Sequence, residues 1–204
     1  MRGEQRGSCP LSDTGEILIF LAWSLSIFYL LVGATYRVSL LGVFTAPVMT
    51  VMLGIAAVPG VLSSSPEKAQ SVDYWGEMHA ALSVLSYGAL ALGAVAAVMF
   101  LVLNRQLKEG QVNSGLFRNI APVHTLMNSM VRLTLVGEVF LTVGIFCGLK
   151  MQVEAGAHLY VAAAVWGSYV LLLGVWYVRG LTPKRISLLI VTLFVASLSV
   201  FAAL

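Results

Sequence analysis

Residues 79–103 read HAALSVLSYGALALGAVAAVMFLVL, an unbroken run with no Asp, Glu, Lys, Arg or Pro. Crossing about 30 Å of hydrocarbon takes about 20 mostly apolar residues in a helix, whereas a barrel strand needs only about 10 with alternating character. The run therefore reads as a transmembrane helix. Working outward from it, five more stretches meet the same test: Glu16–Tyr36, Leu40–Leu62, Met127–Leu149, Ala157–Val178 and Ile186–Leu204. The expected fold is all-α, a polytopic transmembrane helix bundle of about six spans.

Composition agrees. Of 204 residues, 59% are hydrophobic and 10% charged, against about 45–50% and about 25% in soluble domains. This balance excludes a soluble enzyme, a disordered tail and a nucleic-acid binder, and makes the lipid bilayer the chain's first partner. Residues 1–15 are expected to form an extramembrane tail and residues 16–204 a single membrane domain. Ser63-Ser64-Ser65-Pro66 followed by Asp73-Tyr74-Trp75 suggests a turn and then a short interfacial segment with an aromatic anchor. The stretch Asn104 to Leu126, with Arg105, Lys108 and Arg118, reads as a basic connecting loop.

Orientation follows from the basic residues. One set of loops carries Arg37, Arg105, Lys108, Arg118, Arg179, Lys184 and Arg185, and the other Arg2, Arg6, Lys68 and Lys150. The first set is expected on the cytoplasmic side, which leaves both termini outside, with Arg2 and Arg6 pulling against that arrangement. The first apolar run exceeds a signal-peptide core and follows Glu4 and Asp13, so it reads as a span. Cys9 and Cys147 lie far apart without any CxxC spacing, and indicate neither a disulfide framework nor a metal site.

Polar groups inside spans each need a partner, a route to the interface or a function. His79, Ser83, Ser86 and Tyr87 share one helical face. An imidazole heading such a stripe is either a ligand for a metal or haem iron, or an interfacial ring bonded to a neighbouring helix. The other side of the helix carries Ala89, Gly93 and Ala97, a small-residue seam for close packing. In the fourth span, Arg132 can snorkel towards the cytoplasmic end, while Glu138 lies near mid-membrane between Thr134 and Thr142. Glu138 is expected protonated or paired, either fixing helix register or relaying protons. Gly144 and Gly148 form a GxxxG packing motif. His158 opens the fifth span on the same side as His79, so the two imidazoles could clamp an iron axially. Trp166, Tyr169 and Trp176 in that span could stack on a planar group or fill packing gaps. His124 lies across the membrane from the other two histidines and reads as interfacial.

From His79 onward the sequence resembles the cytochrome c assembly family, the haem-handling membrane proteins of the CcsA, CcmC and HemX type. The resemblance rests on His79 eight residues before Tyr87, and on the basic Arg105-Gln106-Leu107-Lys108 ending. It continues through Ala121-Pro122, Arg132-Leu133, Gly137, Leu141-Thr142-Val143-Gly144-Ile145 and Gly148, then Trp166, Tyr169, Arg179-Gly180 and Lys184-Arg185. It implies a role in cytochrome c biogenesis or haem metabolism at the bacterial cytoplasmic membrane, with haem as ligand and other cytochrome c maturation membrane proteins as partners. His79 transfers directly as a haem ligand, and His158 is a topological inference. The family's tryptophan-rich Trp-Asp segment has no counterpart in Lys150-Met151-Gln152-Val153-Glu154-Ala155-Gly156, nor is a second external His found before Leu204. Glu138 stands where the family more often has an apolar residue. A reduced, HemX-like form fits better than a full haem lyase.

The expected function is haem binding, handling or delivery at the outer face of the membrane, using His79, His158, Tyr87 and Trp166. The alternatives are a scaffold or regulatory subunit that kept the fold without haem, and a small proton-coupled transporter built on Glu138 and Arg132. No Walker loop, GxSxG or HExxH is present, so the chain does not read as an enzyme in its own right, with an accessory role in a haem lyase system left open.

Overall fold

The computed structural model describes residues 11, 13–36, 41–61, 73–109, 123–151 and 157–198. Outside these fall Cys9, the Ser63–Pro66 turn, Arg118 and Ala121-Pro122; the side chains of His124 and His158 are likewise not described. The described residues form six helices, α1 (Thr14–Tyr36), α2 (Leu41–Ala56), α3 (Tyr74–Lys108), α4 (Val123–Leu149), α5 (Ala157–Arg179) and α6 (Pro183–Ser197). α1, α3, α4 and α5 contain stretches long and apolar enough to cross a membrane. The chain is an all-α membrane helix bundle.

α2 is shorter than its apolar run suggested. Proline disfavours helical geometry in the residue before it, so Pro59 ends the helix, and Gly60 takes the left-handed conformation at φ 93°. The Gly15 N–H donates to the Val61 carbonyl at 3.3 Å, which ties this turn to the start of α1.

α3 runs past both ends of its expected span. At its start Asp73 is the N-cap, its Oδ1 accepting from the Trp75 N–H at 3.1 Å. At its far end Arg105 and Lys108, expected in a loop, belong to the exposed last turn of the helix, where cations are favoured by the helix C-terminus. There Arg105 Nε donates to Glu109 Oε1 at 2.8 Å.

α3 is also the hub. Its buried residues run from Val84 to Leu103 and form the centre of the main apolar cluster, with Leu25 and Phe28 of α1, Leu41 of α2, Leu126 and Met130 of α4, Tyr169 of α5 and Ile186 of α6. The small-residue seam serves close packing, but it lies on the same side of α3 as His79 and Ser86 rather than opposite them, because helical period sets Ala97 in line with His79, and all face α4. Gly93 lies against Thr134, Leu133 and Met130 of α4, and a Cβ at Gly88 would collide with Ser24 of α1. α5 and α6 make a tight hairpin through Gly180, at φ 65°, with Pro183 in the first turn of α6. α3 touches α4, α4 touches α5, α5 touches α6, and α6 returns to α3, so these four close a ring, with α1 and α2 packed on α3.

Candidate functional site

His79 sits one turn into α3, half-buried, and its Nδ1 lies 2.7 Å from the Gly144 carbonyl oxygen on α4. A carbonyl oxygen only accepts hydrogen bonds, so Nδ1 is the donor in this contact. Histidines that ligate metals are commonly oriented in this way, with the second nitrogen donating to a backbone carbonyl. The contact depends on Gly144. A Cβ there would lie 3.2 Å from Ser83 Oγ and 3.5 Å from Ser83 N, so a larger residue would wedge α3 away from α4.

Ser86 and Tyr87 of the polar stripe on α3 bond to neighbouring helices. Ser86 Oγ donates to the Gly137 carbonyl at 2.8 Å, and the Tyr87 hydroxyl donates to the Ser197 carbonyl of α6 at 3.2 Å. Tyr87 is buried, and two helical turns separate it from His79, about 12 Å along the axis. The stripe therefore divides into an imidazole at one end of the bundle and two interhelical hydrogen bonds deeper in.

Trp166 of α5 donates through Nε1 to Thr142 Oγ1 of α4 at 2.9 Å, and Thr142 Oγ1 in turn donates to the Glu138 carbonyl at 2.7 Å. Thr142 and Gly144 are two residues apart, roughly 200° around the helix. α4 thus separates the Trp166 indole from the His79 ring, and these two candidates do not share a face. His158 lies in the first turn of α5. The connection of residues 150–156 joins that turn to the end of α4 near Gly144, so α5 begins at the His79 end of the bundle.

Arg132 is exposed, as a snorkelling side chain should be, whereas Glu138 is 7% exposed. Both Glu138 carboxylate oxygens are buried with no hydrogen-bond partner among the described residues, and so is the Tyr169 hydroxyl of α5. Tyr169 lies within electrostatic range of Glu138 and Tyr87. Sequence reasoning saw Tyr169 only as a stacking or packing aromatic. Its phenol near the middle of α5, away from both ends of the span, was the available signal, since a buried hydroxyl needs a partner. Cys147 is a buried free thiol, and no group of three or more His, Cys, Asp and Glu side chains among the described residues could hold a metal ion.

Residues 11–202 match the model of the family described as Cytochrome C assembly protein. The chain belongs to that family. The match reaches back through α1 and α2, beyond the segment from His79 onward in which the resemblance was first legible. The cytochrome c biogenesis protein CcsA of Crocosphaera subtropica is 34% identical over 122 residues, covering 56% of this chain and 36% of the relative. The protein of the same name from Chlamydomonas reinhardtii is 29% identical over 175 residues, 83% of this chain and 45% of the relative. The Chlorella vulgaris protein is 32% identical over 108 residues, 52% of this chain and 34% of the relative. The chain thus spans between a third and a half of these family members. No solved structure matches it significantly.

Proposed function

We propose that this chain binds haem and hands it on during cytochrome c assembly, at the His79 end of the bundle. In this reading that end faces outward from a bacterial cytoplasmic membrane, with both termini outside and other maturation proteins as partners. The observation that carries the proposal is the hydrogen bond from His79 Nδ1 to the Gly144 carbonyl, 2.7 Å long. It orients the imidazole by a backbone contact of the kind that positions metal-binding histidines, on a ring held between two packed helices. His158, in the first turn of α5 at the same end, is the second candidate ligand. Haem would supply the iron and the vinyl groups that a cytochrome receives. This chain's part is to ligate, orient and limit access of water, leaving bond formation to a partner.

The test is the visible absorption spectrum of the detergent-purified protein made with ample haem. A Soret band in the wild type that is lost in His79→Ala and kept in His124→Ala supports the proposal. A folded wild type with no Soret band overturns it. A second reading, a scaffold that keeps the family fold without haem, is favoured by Tyr87 being engaged with Ser197 and by α4 standing between His79 and Trp166. It expects a colourless protein that copurifies with assembly partners.

A further inference from the structure

The end of the bundle away from His79 is strongly basic. Segments 37–40, 104–122 and 179–185, where the helices turn at that end, hold seven Lys and Arg and one acid, Glu109, which Arg105 already binds. Apart from Glu138 within α4, every other acid of the chain lies in or before the first turn of α1 or α3, or between α4 and α5. Three of the cations, Arg179, Lys184 and Arg185, crowd into the α5–α6 hairpin, which Gly180 turns at φ 65°. All three are exposed, and their side chains enter no ion pair or hydrogen bond among the described residues. No Asp or Glu occurs from Ala157 to Leu204 to neutralise them. Apolar surface adjoins them directly. Helical period sets the exposed Leu188 in line with Lys184 and the exposed Leu189 in line with Arg185, while Tyr177 and Val178, 84% and 80% exposed, immediately precede Arg179. The packed bundle begins within the same turn, since Ile186 and Ser187 are fully buried and Ser187 Oγ donates to Met130 Sδ of α4 at 3.4 Å.

We propose that the α5–α6 hairpin is a binding site for an anionic phospholipid, whose phosphodiester is held by Arg179, Lys184 and Arg185 and whose acyl chains lie on the exposed apolar faces beside them. Three neighbouring cations without acids repel one another, and an anion between them removes that cost. Guanidinium groups match phosphate oxygens in paired hydrogen bonds, and basic clusters beside membrane spans attract anionic head groups. The occupant must also be apolar. Each cation stands at the edge of exposed aliphatic or aromatic surface, so a free phosphate or a soluble acidic protein would satisfy the charge alone, whereas a phospholipid satisfies both. The site involves neither His79 nor His158 and does not depend on the haem reading.

The test uses the whole protein in detergent, its thermal midpoint followed as dioleoyl phosphatidylglycerol is added to the micelles, with dioleoyl phosphatidylcholine and inorganic phosphate as separate controls. A saturable rise with phosphatidylglycerol is expected, and none of comparable size with either control. The pair Arg179→Gln with Arg185→Gln should weaken the apparent affinity about thirtyfold, the electrostatic share of two cations at an anionic membrane surface. The pair Arg105→Gln with Lys108→Gln removes as much charge from the same end and should leave the response unchanged. All four positions are exposed, so both variants should match the wild type in lipid-free midpoint and in whatever Soret band it has, which makes failure here distinguishable from failure of the haem reading. Equal losses in the two pairs would show diffuse attraction and overturn the proposal. An equal rise with phosphatidylcholine, a rise with inorganic phosphate alone, or no rise with phosphatidylglycerol overturns it as well.

Discussion

Ser86 on α3 donates from Oγ to the carbonyl oxygen of Gly137 on α4 at 2.8 Å, and Gly137 immediately precedes the buried Glu138. This bond sets the rotation of α4 against the hub, and with it the direction in which Glu138 points. Interhelical hydrogen bonds in membranes average about 0.6 kcal/mol in double-mutant cycles. Ser86→Ala is therefore expected to lower stability by about that much, read as a small fall in the thermal midpoint in detergent. No change in midpoint would show that the bond does not fix the register.

A harsher effect is expected at Gly88, whose added Cβ would meet Ser24 Cβ at 2.7 Å as well as its hydroxyl. Overpacking of this kind typically costs about 1–3 kcal/mol. Gly88→Ala should reduce the fraction that stays monodisperse after heating, and the pair Gly88→Ala with Ser24→Gly should recover most of it. A double variant as damaged as the single one would place the strain elsewhere.

Replacing Glu138 should act in the opposite direction. Its carboxyl is buried without a hydrogen-bond partner among the described residues, so Glu138→Met, similar in length and apolar, is expected to raise stability by about 1–3 kcal/mol. Glu138→Gln, which stays polar, should gain little. A destabilised Glu138→Met protein would mean that the carboxyl contributes to holding the bundle together.

At the start of α3, Asp73→Ala removes the N-cap bond to Trp75, worth about 1 kcal/mol. Amide exchange over Glu77 and Met78 should accelerate about fivefold, while Val84 to Leu103 is unaffected. Uniform acceleration along α3 would contradict a local role for the cap.

The helices and the presence of the small residues Ala89, Gly93 and Ala97 for close packing could be read from sequence because both are properties of one segment, whereas the side of α3 that they occupy was misplaced, since they face α4 together with His79 and Ser86. Boundaries were less legible. Arg105 and Lys108 looked like loop residues, yet a helix can carry charged side chains into water for another turn. α2 ended early because Pro59 and Gly60 override the apolar run around them. The least legible feature was which candidates meet. His79 and Trp166 lie on different sides of α4, and that depends on how the helices are rotated against one another, set by contacts such as Gly144 with Ser83 and Thr142 with Trp166. Likewise, that the Tyr169 hydroxyl meets no hydrogen-bond partner among the described residues is visible only when neighbouring helices are in place.

The length of α3 has a consequence for the immersion of the whole assembly. Trp75 and Tyr74 at one end are exposed, as are Arg105 and Lys108 at the other. The helical rise from Trp75 to Arg105 is about 45 Å, the thickness of a bilayer with its head groups. Indole and guanidinium anchors at that spacing hold the helix in vertical register with the membrane. In a bilayer gripped by those anchors, His79, about 6 Å inward from Trp75, would lie near the boundary between hydrated head groups and hydrocarbon, where the dielectric constant falls steeply. A planar amphiphile attached there would keep its ionised edge in water and its greasy edge in lipid without crossing the membrane.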